Sequence, residues 1–499
     1  MPLNRPGPGR NASGSRLHRD TGRLFVYAVP ARLIDLGRAW LLAWLLGPAG
    51  YGLWQAVGLA LTWAGQFHLG TVNTLNRELP MALAGGDQAR QEKLCSQSAL
   101  AVVALAVPAG ALSLVWGAGQ GGAEGWVWVL AAPLFVLNAY HLYLLEVLEG
   151  SRRFDLTAKG ELLYSALLAL LVLPLAPWLG VPGVIAACLL QRAATIYYLH
   201  RQGPAWRGLP RPDWGELRRM VKAGRWFWLA TLSTAAYLTV DRLLVLGLLS
   251  GYELGLYALA WAATSPLRIW IGSLETAAEP RILALLARKE GAGGAPRRGR
   301  AFLRLTWCFP WCQAMAFFLL PPLIAFVLPR YAGAAPAAQL AALGAYVQMA
   351  GVGAASFLLG QNRGRELLRN SLYTAGVSLA LSLAAIAAGL GITGVMAAAL
   401  AADLFRSWHL LGLCQEHGPG GRRAASRVLG LRLLPWSAML ACLAVSQGAG
   451  FFIPDGWSLA ASLGFRAGLF SALYLGLACW LLRRGGQAQD AAWFPVNAL

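Results

Sequence analysis

Seven arginines and three aspartates stand inside stretches apolar enough to sit in lipid. The run PARLIDLGRAWLLAWLLGP, residues 30–48, carries Arg32, Asp35 and Arg38 at three-residue spacing. In a helix each such step turns about 60°, so the three charges share one face. That face should look into a bundle, because a charge at mid-bilayer costs about 2.5–3.5 kcal/mol on insertion scales. Asp403, Arg406 and His409 repeat the spacing, Asp241 and Arg242 are adjacent, and Arg192, Arg268 and Arg466 are spread over three further stretches. At about 1.5 Å of rise per residue, Asp35, Arg192, Asp241, Arg242, Asp403 and Arg466 fall roughly 10–17 Å from the nearer end of their stretches, in a layer near the midplane. Over the spans as a whole the seven arginines outnumber the three aspartates, and the planar guanidinium fork suits the oxygens of carboxylate or phosphate groups. The competing reading is that Arg32–Asp35–Arg38 and Asp403–Arg406 are internal ion pairs that lock helices together. It explains Arg192 and Arg466 less well, since neither has an acid in its own stretch.

The elements that must position these charges follow from composition. The 499 residues are 57% hydrophobic and only 13% charged, and the apolar residues fall in blocks of about 20, the length that crosses a bilayer core as a helix. Fourteen spans are expected, at approximately 24–46, 52–72, 97–118, 125–147, 161–179, 182–199, 223–249, 252–276, 303–328, 335–358, 370–390, 392–413, 430–451 and 457–482. The fold class is therefore an all-α polytopic membrane protein of about fourteen transmembrane helices. Lys and Arg alternate without a break: only Arg330 falls in an outer loop when both termini are placed in the cytoplasm. Arg225, Arg304 and Arg432, at span edges, count with the inner loops. The net charge of +20 is then a topology signal with membrane lipid headgroups as a secondary partner, rather than a sign of nucleic acid.

No soluble catalytic domain fits between the spans, and no GxxxxGK[ST] loop is present. The sequence points away from an enzyme and implies no cofactor and no metal. The seven cysteines lie mostly in apolar stretches and read as packing residues. His68 and His141 read as packed hydrogen-bonding residues rather than titrating groups. Trp63, Trp228, Trp261 and Trp270 lie deep enough to stack on sugar rings, although core packing is the simpler reading. Pro174, Pro177, Pro266 and Pro310 interrupt spans and would permit bending.

The chain also repeats itself. Gly52-Leu53-Trp54 matches Gly255-Leu256-Tyr257, "NRELPMALA" (76–84) faces "EPRILALLA" (279–287), and "PGVIAA" (182–187) matches "TGVMAA" (393–398). Spans 1–6 and 7–12 thus read as two copies in one orientation, an arrangement typical of secondary transporters. The expected organisation is a basic tail (1–23), an N-terminal lobe (24–200), a linker (201–222), a C-terminal lobe (223–414), an additional helix pair (430–482) and a cytoplasmic tail (483–499).

The stretches "RLIDLGRAWLLAWLLGPAGYGLW", "NRELPMALAGGDQAR", "LEGSRRFDLTAKGELL" and "LTVDRLLVLGLLSGYELGLYALA" resemble the Wzx-type lipid-linked oligosaccharide flippases of the multidrug/oligosaccharidyl-lipid/polysaccharide (MOP) exporter superfamily. The resemblance covers spans 1–12; the additional pair resembles the fourteen-span lipid II flippases. It implies two lobes rocking around a cationic cavity in a bacterial cytoplasmic membrane. The implied cargo is an undecaprenyl-diphosphate-linked oligosaccharide for surface polysaccharide such as O-antigen, with a polysaccharide polymerase as a further partner. Arg32, Arg38, Arg192, Arg242, Arg268 and Arg406 would then bind substrate, and Asp35, Asp241 and Asp403 would position those arginines or take part in ion coupling. Two alternatives stay open: a cation-coupled multidrug exporter on the same scaffold, marked by acids without arginine partners, and a membrane-embedded glycosyltransferase, which the short loops disfavour.

Overall fold

The apolar blocks become helices because a chain in lipid must satisfy its backbone polar groups within the segment. The computed structural model of the chain describes residues 13–151, 153–202, 211–269, 296–351, 353–361, 363–415, 421–449 and 457–493. The fold is all-helical, with no strand among the described residues. Eight helices among these residues are long and apolar enough to cross a membrane. Outward faces carry large apolar side chains such as Trp178 and Phe326, as a lipid-facing surface requires. Trp270 and the repeat copy at 279–287 lie outside the described residues.

The chain divides into two compact units. The first is Met1–Leu46 with Leu53–Leu229, the second Gly47–Gly52 with Ala230–Leu499. In unit 1, α1 (Ser13–Gly65) bends at Gly47, whose φ of 66° lies in the left-handed region. It is followed by α2 (Thr71–Ala84), α3 (Gln88–Gln120), α4 (Gly122–Gly150), α5 (Phe154–Leu179) and α6 (Val181–Gln202). Helix α7 (Trp214–Leu244) begins in unit 1 and ends in unit 2. Unit 2 continues with α8 (Gly251–Ala263), α9 (Pro296–Val327), α10 (Ala335–Ala350), α11 (Ala354–Gly360), α12 (Gly364–Ala387), α13 (Gly391–Gln415), α14 (Gly421–Gly448) and α15 (Leu459–Trp493).

Two expected spans are split. The span at 52–72 stops at Gly65 and restarts at Thr71. The break packs against α7: the Trp228 indole donates to the Gln66 carbonyl at 2.6 Å, and a Cβ on Gly224 would stand 2.0 Å from the Gly70 carbonyl oxygen. The span at 335–358 divides at Gly351–Gly353, where Gly353 takes a φ of 82°. Hydropathy cannot register either break, because glycine and a few polar residues barely change a window average.

The hairpins α5–α6 and α12–α13 are built alike inside their respective units. Each turns on a glycine at positive φ, Gly180 at 63° and Gly391 at 56°, a conformation that an L side chain rarely adopts. At the opposite end Arg153 donates to the Gln202 carbonyl at 2.5 Å, and Arg363 donates to the Leu413 carbonyl at 2.9 Å. The backbone N–H of Arg153 reaches Leu148 O at 2.8 Å, and that of Arg363 reaches Leu358 O at 2.9 Å. A short pattern, Leu-x-Gly-x-x-Arg at 148–153 and 358–363, underlies both and escaped the sequence reading.

Glycines 52 and 255, matched by the repeat, pack face to face within unit 2. A Cβ on Gly52 would stand 1.8 Å from Gly251 O, and one on Gly255 would stand 2.0 Å from Pro48 O. Only glycine permits this backbone approach.

Candidate functional site

The charges of the apolar stretches occur in both units. In unit 1, Arg38 Nη2 meets Asp35 Oδ1 at 3.2 Å across one turn of α1. The two side chains are 16% and 31% exposed, so the pair is only partly desolvated. Arg38 Nε is buried without a hydrogen-bond partner. Arg32, one turn earlier, is exposed and forms no ion pair among the described residues. The expected Arg32–Asp35–Arg38 triad is thus a single pair and one separate cation. On α6, Arg192 lies over the Tyr164 ring with its guanidinium carbon 4.5 Å from the centroid. His141 stacks on the same tyrosine at 5.6 Å.

In unit 2 the acids and the cations are satisfied separately. Asp403 on α13 accepts the Tyr237 hydroxyl at Oδ1 and the Gln348 amide at Oδ2, 2.9 Å away. Asp241 on α7 accepts the Tyr257 hydroxyl at 2.5 Å and the backbone N–H of Arg242 at 2.8 Å. Both aspartates are buried. Hydroxyl and amide donors, rather than guanidinium, satisfy their oxygens. Arg268 instead lies on the Trp261 indole at 3.7 Å and donates to the Trp261 carbonyl at 2.5 Å. Arg242 faces the same indole at 5.5 Å. Arg406 lies 5.4 Å from the Tyr237 ring. Arg242 Nε and Trp261 Nε1 are buried without a partner. Asp403 and Arg406 form no ion pair among the described residues, so that helix-locking pair is absent.

The arrangement is specific. Arginine stacks on aromatic faces through its delocalised charge, which holds its orientation while leaving in-plane N–H donors for an anion. A tyrosine or glutamine donor satisfies a buried carboxylate without consuming a cation. The sequence indicated the charges but missed Tyr237, Gln348, Tyr257 and Tyr164, because nothing in the spacing of a span announces a hydroxyl supplied by a different helix.

The other nominated residues have structural partners. His68 Nδ1 accepts the Gly70 N–H at 3.2 Å. His409 stacks on Phe405 at 5.8 Å and bonds Asn370 at 2.8 Å. Arg466 donates to Gln447 at 3.0 Å. All seven cysteines are free; Cys95, Cys188, Cys414 and Cys442 are buried, while Cys308 and Cys479 are exposed. No group of three His, Cys, Asp or Glu residues that could hold a metal occurs among the described residues.

Outside the eight spans, Glu78 on α2 joins a charge network at one end of unit 1. It meets Arg90 and Arg219 at 2.8 Å each. Glu216 meets the same two arginines at 3.0 and 2.7 Å. The Arg219 guanidinium, seconded by Arg90, holds the Glu78 carboxyl down at about 2. Lys93 pairs with Asp213 at 2.7 Å and lowers its carboxyl as well. These contacts fasten the start of α7 to α2 and α3.

No family model matches the sequence, and no curated protein matches it. Solved structures do. An inward-closed structure of the lipid II flippase MurJ aligns with a TM-score of 0.64 at 12% identity, covering 92% of this chain and 98% of that one. An inward-facing multidrug-resistance MATE-family transporter aligns at 0.55 and 16% identity, covering 81% and 94%. A MOP superfamily transporter from Pyrococcus furiosus aligns at 0.55 and 14% identity, covering 79% and 96%. The chain therefore has the multi-pass membrane fold of the MOP superfamily transporters.

Proposed function

We propose that the protein is a flippase that carries a polyprenyl-diphosphate-linked oligosaccharide across a bacterial cytoplasmic membrane, by alternating access, for surface polysaccharide. The observation that carries this reading is the separation of charge in unit 2: Asp241 and Asp403 are satisfied by tyrosine and glutamine, while Arg242, Arg268 and Arg406 form no ion pair among the described residues. A diphosphate supplies the missing anion, and its many acceptor oxygens suit several guanidinium forks. Arg38 and Arg192 add further cations in unit 1. The likeness to a lipid II flippase supports the reading at the level of the scaffold.

The rival reading, a cation-coupled multidrug exporter, draws support from the MATE-like fold. It needs acids open to a cationic cargo, and both unit 2 aspartates here are engaged by neutral donors. The Pyrococcus furiosus relative is described as having a binding pocket of reverse polarity that suggests a different function, so pocket charge is a sensible discriminator within this fold.

The test uses the full chain in liposomes with two probes: a polyprenyl diphosphate carrying a fluorescent N-acetylhexosamine, and the cationic dye ethidium. The lipid-linked sugar should cross and ethidium should not. Arg242→Ala with Arg268→Ala should cut probe crossing about tenfold or more, since one hydrogen bond to a charged group contributes about 1.5–3 kcal/mol. Transport of ethidium alone would overturn the proposal in favour of the exporter.

A further inference from the structure

Arg432 is the largest fully buried side chain among the described residues, 1% exposed within α14. Sequence patterning counts it with the cationic loop at a span edge, yet the fold takes it inside unit 2. Its Nη1 donates to the Ala350 carbonyl at 2.7 Å. Ala350 is the last residue of α10, and a helix ends in carbonyls that lack intrahelical donors and carry partial negative charge, which suits a cation. The chain then passes Gly351 and Gly353 before resuming as α11.

Further contacts grip the C-terminal half of α10. Tyr346 OH donates to the Arg432 carbonyl at 2.9 Å, Trp436 Nε1 donates to Leu343 O at 2.8 Å, and Ser407 Oγ donates to Val347 O at 3.1 Å. Two of the donors, Arg432 and Trp436, come from α14, and Tyr346 returns a bond to it. Gln348, whose amide satisfies Asp403 Oδ2, sits two residues before Ala350. Without a grip, a helix end next to a glycine-bounded break frays, and an amide carried on it loses its aim.

We propose that Arg432 is a positioning residue: by holding the carbonyl end of α10 it aims the Gln348 amide at Asp403. Helix α14, which lies outside the sequence repeat, thereby sets the geometry around Asp403. This rests on the reading of Asp403 as part of the translocation site, but the measurement that decides it does not use transport.

The full chain is placed in lipid nanodiscs with 13C-carboxyl aspartate, and the Asp403 infrared band is assigned by its loss in Asp403→Asn. Gln348→Leu should shift that band by removing a donor. Arg432→Met should shift it in the same direction, and Arg432→Lys should restore it. The Arg432→Met, Gln348→Leu double variant should match Gln348→Leu alone, since both act through one bond. If Arg432→Met does not accumulate, Arg432→Gln, whose shorter arm draws the donor back from the Ala350 carbonyl, is read in the same way. A folded variant whose Asp403 band stays at the wild-type position, or a double variant whose shifts add, overturns the proposal. Failure of the wild-type protein to move the lipid-linked probe would overturn the functional reading and leave the band shift to decide this one.

Discussion

At the offset that lays Gly52 on Gly255, Arg38 of unit 1 falls on Asp241 of unit 2; at the offset that lays Gly180 on Gly391, Arg192 falls on Asp403. The two units share a hairpin down to its glycine turn and its arginine bond, yet they place opposite charges at matching positions. In unit 1 those positions hold cations steadied by one partly exposed carboxylate and one tyrosine ring. In unit 2 they hold acids steadied by hydroxyls and an amide, and the cations come from nearby positions, Arg242 and Arg406, and from Arg268. The repeat thus fixes where a polar group sits along a span and leaves its sign open. Each unit ends with guanidinium that carboxylate does not fully neutralise.

Copying the unit 1 residue into unit 2 is the harshest way to break this comparison. Asp403→Arg strands the Tyr237 and Gln348 donors and adds a guanidinium beside Arg406. The expected cost is about 3–5 kcal/mol, as for a buried charge left without its partner, read as loss of protein from the membrane fraction. Normal accumulation of Asp403→Arg would show that sign is unconstrained there. A smaller effect sharpens the shared part. Arg153→Ala and Arg363→Ala each remove a charged donor from a matching carbonyl and should each cost about 1.5–3 kcal/mol, measured by thermal unfolding in detergent. Losses that differ severalfold would mean the hairpins are alike in shape but not in energetics.

The smallest effect concerns the charge network of unit 1. Glu78→Gln should lower the unfolding temperature at pH 7 by about 1–3 °C, because the network is partly exposed. The sign follows from the carboxyl being lower in the folded chain, about 2, than its ordinary 4.5. The stabilisation is complete above about 4.5 and fades as the pH falls toward 2. Wild type and Glu78→Gln should therefore converge in acid; a gap that persists at pH 2 would assign Glu78 a role other than charge pairing.

Much of this was legible in the chain. Blocks of apolar residues gave the all-helical membrane fold, since lipid admits little else. Helical spacing also placed Asp35 and Arg38 within reach of each other, one turn apart. The pairing of Asp403 with Arg406 was an equally good local inference and does not occur, because Tyr237 on α7 and Gln348 on α10 reach the carboxylate first. Arg432 counted with an inner loop for the same reason: its partner is a backbone carbonyl distant in sequence, and a carbonyl has no letter of its own.

What the sequence determined by itself was the number and spacing of charges in apolar stretches, because composition and residue order are local properties. Which carboxylate meets which donor, which arginines are left without an acid, and where two spans break were decided only when helices packed. Those outcomes depend on groups brought together from separate helices, and no spacing along one helix encodes them.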